Sequence, residues 1–332
     1  MTTPQTDNHL PIGLDVGSSR VVAARSVDGK YPYESMLNAF VTVPYSKLAA
    51  SLLDRDDVFY EVQGADILVI GADAQALAEV FHVPIRRPML HGVLNPLEPH
   101  GLAVMKLILG KLLGRSSDGQ KVFFSVPAPA IEGDAGILYH RACIGQILTE
   151  LGYLAKPFEE GLAVVFSELD ASNFTGIGIS FGSGMCNACL ALLSMPVISF
   201  SVSKAGDFID AQAALVTGDL ADHIRAQKER SFRLNGFTGD RINNALNVYY
   251  QDMIGTLVET LRSHIASTKR LPRMEKPVPL VISGGTAIPK GFLEYFDSTL
   301  RSADFPIRLS EIRLASDPLN STARGALMAA LC

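Results

Sequence analysis

Three glycine-bearing turns stand where this sequence could do chemistry. Gly17-Ser18-Ser19 joins the apolar runs 11–16 and 20–26, Gly182-Ser183-Gly184 joins 176–181 and 185–193, and Gly284-Gly285-Thr286 follows the run 279–283. Successive backbone N–H groups in such turns form a concave anion site suited to a phosphate chain. Asp15 ends the first run and could hold waters around Mg2+, which keeps several waters and takes few direct carboxylates. Each feature also has a plainer reading. A Gly/Ser turn between strands is commonly an ordinary hairpin, and an aspartate before a turn is often an Asx cap. Recurrence in two halves of one chain is what favours the phosphate reading.

The elements that must position these turns alternate strand and helix. Runs 67–71, 121–126 and 196–203 are further strand candidates. Helices are expected at 72–80, 101–113, 134–151, 160–169, 207–217, 219–231, 238–248 and 250–267; in 134–151, Ile137, Ile144, Ile147, Leu148 and Leu151 fall at helical spacing. A Pro-rich link, 271–279, leads into the strand 279–283. The strand–turn–strand unit occurs twice, at 11–26 and 176–193, so two related lobes with a cleft between them are expected. The chain would cross near 155–160 and return near 305–315, where a hinge can sit.

Composition narrows the class. With 332 residues, 48% of them hydrophobic, there is ample material for a buried core. A net charge of −5 argues against a dedicated nucleic-acid binder, which would show a basic face; Arg86-Arg87 and Lys269-Arg270 read as surface pairs. The N-terminal residues lack a basic region followed by an apolar one. No apolar run reaches the roughly 18–20 residues that span a bilayer, and no amphipathic basic helix marks either end. Run 101–113 reads as a core helix rather than an interfacial one. A cytoplasmic setting with no direct membrane anchor is expected. Cys186 and Cys189 form a CxxC, but positions i and i+3 of a strand face opposite sides, so they cannot share a metal.

The motifs carry a family resemblance. IGLDVGSSRVVAAR resembles the first phosphate loop of the ATPase superfamily of actin, the seventy-kilodalton chaperones and the sugar kinases; GIGISFGSGMCNACLAL resembles its second phosphate loop and LVISGGTAIPKGF its adenosine loop. SVSKAGDFIDAQ is similar to the segment after the second loop in bacterial actins. RPMLHGVL, SVPAPA and SDPLNSTARGAL are similar to segments of the bacterial actins MreB and MamK, in the same order from about residue 11 to residue 331. The resemblance implies an α/β, actin-like ATPase fold of two duplicated RNase H-like lobes with a nucleotide cleft. Lobe I would be 1–157 with 310–332 (small subdomain about 31–80), and lobe II 158–309 (small subdomain about 212–245).

Carried over position by position, the resemblance implies ATP or ADP with Mg2+ in the cleft. Asp15 would orient magnesium-bound water. Gly17, Ser18, Ser19 and Arg20 would line the β-phosphate side, and Gly182, Ser183 and Gly184 the γ-phosphate side. Gly206 and Asp207 fall in the Ala-Gly-Asp segment of the nucleotide site. Arg225, Lys228 and Glu229 would pack on adenine and ribose, although taken alone they read as a solvated helix face. Gly284, Gly285 and Thr286 would let the backbone approach the nucleoside. The implied partner is the chain itself, in a head-to-tail filament.

Two departures bear on turnover. Ser180 stands where the second phosphate loop normally begins with aspartate, which implies slower hydrolysis. The residue that positions attacking water, Glu or Gln in this superfamily, is Glu160 in one alignment of KPFEEGLAVV and Lys156 in another; the interval to Ser180 favours Glu160. The functional expectations are therefore a slow filament-forming ATPase or a hydrolysis-deficient ATP-binding scaffold. A small-molecule kinase or chaperone module ranks last.

Overall fold

Two five-stranded sheets with the same connectivity organise the chain. A computed structural model describes residues 10–133, 136–268, 274 and 276–332. The N-terminal residues 1–9, the first two residues of the expected helix 134–151, Lys269-Arg270 and residues 271–273 and 275 of the link 271–279 lie outside the described residues.

The first sheet runs Leu154–Glu159, Lys121–Val126, Ile12–Val16, Arg20–Ala24, Tyr33–Leu37 across its width. The second runs Leu309–Leu314, Val278–Ser283, Gly176–Phe181, Cys186–Leu192, Met195–Val202. In each, the strand made first is central and opens a three-strand antiparallel meander, after which two later strands add in parallel on its other side. A central strand covered on both faces must be apolar almost throughout, as Ile12–Val16 and the fully buried Gly176–Phe181 are. Parallel register sets Leu14 beside Phe124, so Asp15 comes level with Ser125; in the second sheet Ser180 pairs with Ser283. Asp15 and Ser180 thus occupy equivalent places.

Between the sheets lie the helices Glu160–Glu168 and Ser321–Leu331. Their approach needs glycine. A Cβ on Gly325 would fall 1.7 Å from Ala163 O, one on Gly13 2.1 Å from Ala323 O, and one on Gly178 2.5 Å from Gly161 O. The same contact, first strand against crossing helix, is made in both halves.

Each half carries an insertion after its third strand. In the first it is a small sheet, Phe40–Pro44, Asp66–Ile70 and Tyr60–Gln63, with the helices Lys47–Arg55 and Gly71–Phe81. In the second it is the helices Gly206–Thr217, Ala221–Ser231 and Arg241–Ser267. The last was expected as two helices, 238–248 and 250–267. It is one, because nothing between breaks the period: Leu246, Tyr250, Met253, Ile254, Leu257 and Leu261 form a continuous buried face. Asp240 starts it, accepting from the Asn243 N–H at 2.9 Å.

Three expected boundaries shift. Tyr33–Leu37 hydrogen-bonds to Arg20–Ala24 and so belongs to the first main sheet rather than to a small subdomain beginning at 31. The strand Leu154–Glu159 stays in the first sheet to residue 159, past the expected limit at 157. Leu309–Leu314 pairs with Val278–Ser283, so the chain leaves the second sheet after residue 314 rather than at 309. The CxxC lies in strand Cys186–Leu192, its thiols buried in different core clusters on opposite faces.

Candidate functional site

The two turns close in the same way. Gly17 N–H donates to Arg20 O at 3.0 Å, and Gly182 N–H donates to Met185 O at 3.1 Å. Each is held from behind by one polar side chain: Asn38 Nδ2 donates to Gly17 O at 2.9 Å, and Thr286 Oγ1 donates to Gly182 O at 2.8 Å. The second turn has further support, since Gly206 N–H donates to Gly182 O at 3.2 Å and Asp207 N–H to Ser183 O at 2.6 Å.

The tips meet across the cleft. Gly92 N–H donates to Ser18 Oγ at 3.2 Å, and a Cβ on Gly184 would fall 2.0 Å from Gly92 N and 2.6 Å from Ser18 Oγ. Gly92 and His91, at φ 78° and 50°, form the turn of the ribbon Met89–Leu90/Val93–Leu94. Two positive-φ residues in a two-residue loop are the geometry that strand twist favours.

Around these turns is one cavity of about 860 Å³. Asp15, the turn Gly17, Ser18, Ser19 and Arg20, Glu160, Ser180, the turn Gly182, Ser183 and Gly184, the trio Arg225, Lys228 and Glu229, and the turn Gly284, Gly285 and Thr286 all line it. Gly206 and Asp207 do not; they stand behind the second turn. A second hollow of about 900 Å³, between Phe59–Gln63 and the helices Gly101–Leu113 and Ile137–Glu150, contains none of these residues. It lacks convergent backbone donors, so size does not make it the better candidate.

Two half-buried acids face the first cavity. Ser125 Oγ donates to Asp15 Oδ1 at 2.8 Å and accepts from Val16 N–H at 2.8 Å. Burial pushes the Asp15 carboxyl up to about 6, against the Ser125 bond. Glu160 is pushed up to about 8, first by burial and then by the charge on Asp15. Opposing this, Ser180 Oγ donates to Glu160 Oε2 at 3.0 Å, and the Asn187 amide favours the charged form although its Nδ2 completes no hydrogen bond. Lys156 takes no part. It is exposed, its Nζ 4.9 Å from the Phe123 ring centroid, and it does not line the cavity.

On the far wall, buried Asp210 pairs with Lys228 Nζ at 2.7 Å and Arg225 Nε at 3.1 Å. Asp207 pairs with Arg225 at 3.1 Å and, across the cleft, with Arg87 at 3.6 Å. Burial raises the Asp210 carboxyl in spite of Lys228 and Arg225. The wall is thus an ion-pair lattice that fixes the directions of Arg225 and Lys228.

Over residues 10–330 the sequence matches the family described as Volactin. The chain belongs to that family. Among solved structures it is similar to a MamK double helical filament, at 19% identity and TM-score 0.71, over 97% of this chain and 98% of the other. It is also similar to a non-polymerising MamK mutant bound to AMPPNP, at 20% and 0.62, over 98% and 99%. A third match is MreB 5 of Spiroplasma citri bound to AMPPNP, at 15% and 0.67, over 95% and 93%. No curated protein sequence matches it significantly. The fold is therefore that of the bacterial actins.

Several residues at this site escaped sequence reasoning. Asn38 and Gly92 lie far from any phosphate-type turn in the chain and reach one only through tertiary pairing. Asp210 follows Asp207 at i+3 and could have been found from the Asp-x-x-Asp spacing. Phe232 and Tyr250, stacked with centroids 4.9 Å apart, line the cavity but come from different elements, Phe232 from the end of helix Ala221–Ser231 and Tyr250 from within helix Arg241–Ser267, with no local signal. Asn187 sits inside an otherwise apolar strand, and a lone buried polar residue there was the available clue.

Proposed function

We propose that this protein binds ATP with Mg2+ between its lobes, hydrolyses it slowly, and assembles head to tail into filaments in the cytoplasm. The observation that carries the reading is the meeting of two equivalent turns, Gly17–Arg20 and Gly182–Met185, on one cavity that also holds the Gly284–Thr286 turn. Support for assembly comes from the MamK filament, and support for nucleotide from the AMPPNP-bound relatives, all sharing this fold. In this reading lobe I comprises residues to 159 and from about 315, and lobe II the residues between.

The donor set fits a magnesium–phosphate group. Among the described residues, the half-buried acids Asp15 and Glu160 have no cation among the groups that shift them, and no cluster of three metal-ligating side chains exists that would strip the ion of water. Asp15 would hold such an ion through its waters, and the ion would supply charge neutralisation on the phosphates. The chain's own residues do the rest. The turn N–H groups bind phosphate oxygens, Arg225 and Lys228 offer fixed cations and Phe232 an apolar face on the nucleoside side. Glu160, steadied by Ser180, accepts a hydrogen bond from water and aims it at the terminal phosphoryl group.

Calorimetric titration with Mg-ATP should give saturable heat, and electron microscopy of the ATP-bound protein should show filaments. Absence of heat across a wide concentration range defeats the reading. Ser180 supports one alternative, a scaffold that binds ATP without turnover; single-turnover phosphate release at near-zero rate with intact binding would select it.

A further inference from the structure

One buried donor near the carboxylates has no hydrogen-bond partner among the described residues. Asn187 is fully buried in strand Cys186–Leu192, and its Nδ2 makes no hydrogen bond within the described chain. Its Oδ1 is committed, accepting from the Ala128 backbone N–H at 2.8 Å. That bond fixes the amide orientation, because only the oxygen can accept. Nδ2 must then point the other way.

The other way lies Glu160. Asn187 is directly opposite Ser180 in the antiparallel register, so both side chains project from the same face of the sheet, with Cβ atoms roughly 5 Å apart. That face is covered by the start of helix Glu160–Glu168. Ser180 Oγ reaches Glu160 Oε2, and a Cβ on Gly161 would fall 2.8 Å from Cys189 N. The helix start is pressed onto this strand.

Ala128 belongs to the other lobe. It follows Lys121–Val126, the strand that carries Ser125 and hence holds Asp15. The loop is fastened at further points: Ser201 Oγ donates to Ala128 O at 2.8 Å, Ser201 N–H donates to Pro129 O at 2.9 Å, and Ile131 N–H donates to Ser201 O at 3.2 Å. We propose that Asn187 is a positioning residue for Glu160, referencing the Glu160 carboxylate to the loop that carries Asp15. Asp15 and Glu160 are then set relative to each other across the lobes, with a neutral amide and Ser180 supplying the contacts a second aspartate would otherwise disturb.

This rests on the nucleotide reading above and extends it to turnover. Asn187→Asp keeps the size and the acceptor toward Ala128 but turns an oxygen toward Glu160. Asn187→Ser is a smaller neutral change that withdraws the reach to Glu160. In single-turnover phosphate release with Mg-ATP, both variants should fall about tenfold or more, as a displaced reacting group does. AMPPNP affinity by calorimetry should stay within about twofold. Wild-type turnover in both variants overturns the proposal; so does a parallel loss of turnover and AMPPNP affinity, which marks a merely structural residue. A wild-type chain that binds ATP but releases no phosphate overturns it while leaving nucleotide binding intact. A chain that binds no nucleotide removes the underlying reading, and this inference with it.

Discussion

The first turn and the second are built on one plan and charged differently. At the first, Asp15 is the penultimate residue of the central strand and is held by Ser125 from the neighbouring parallel strand. At the second, Ser180 holds the same penultimate place, its neighbour Ser283 points its hydroxyl to Pro318 O at 3.0 Å, and the carboxylate comes from Glu160 on the crossing helix. A duplicated fold therefore need not duplicate its charges. Two ionised carboxylates so close in a buried site repel, and a third would repel both. Ser180 relieves that cost and leaves Glu160 free to face water.

The largest disturbance to this comparison is expected at the shared helix crossing. Gly325→Val, with its Cβ 1.7 Å from Ala163 O, should leave no soluble folded protein, while Gly161→Ala, at 2.8 Å from Cys189 N, should fold with a lowered melting temperature. Equal effects of the two would show that the helix-to-helix contact at Gly325 is no tighter than the helix-to-strand contact at Gly161. Next in size, Glu160→Gln should reduce single-turnover phosphate release about 100-fold with AMPPNP affinity retained; an unaffected rate would dismiss Glu160 from the reaction.

Restoring symmetry should be instructive. Ser180→Asp should lower the melting temperature without nucleotide, because three acids then share one buried site, and Mg-ATP should recover more stability than in the wild type. Turnover should rise about tenfold, the lower end of what an outer-shell metal partner contributes. A Ser180→Asp protein that melts normally when free of nucleotide would mean the acids are less enclosed than their surroundings indicate.

Acidity gives a further test. Asp15 and Glu160 have folded values of about 6 and about 8, above their ordinary 3.8 and 4.5. Between about pH 4 and pH 8 the folded chain holds protons that the unfolded chain has released, so stability without nucleotide falls as pH rises through this window. Urea denaturation should show this decline, and Glu160→Gln should flatten its part between pH 6 and 8. A stability that climbs over that interval contradicts the assignment. Least of all, Lys156→Met should change turnover by less than about twofold, since Lys156 lies on Phe123 outside the cavity.

Much of this was legible in the sequence because it is local. A strand, a glycine turn and a second strand follow one another directly, so 11–26 and 176–193 declare themselves, and the buried strands 121–126 and 176–181 are apolar enough to mark their own ends. Tyr33–Leu37 and Leu309–Leu314 did not, because sheet-edge strands alternate with polar residues and resemble loops. Among the site residues, those in the turns carry a local signal and Glu160, Arg225, Lys228 and Glu229 came from the resemblance, whereas Asn38 and Asn187 were found by neither. Asn38 reaches Gly17 over 21 positions and Asn187 reaches Ala128 over 59, and no spacing rule links such pairs before the sheets are paired.

At the point where Gly325 passes Ala163, the two crossing helices touch backbone to backbone with no side chain between them. Interlocked ridges normally fix the angle of a helix pair; at this one point backbone meets backbone instead. The two helices are in extended contact on either side of it, so a side chain at residue 325 is expected to wedge apart the layer that joins both sheets.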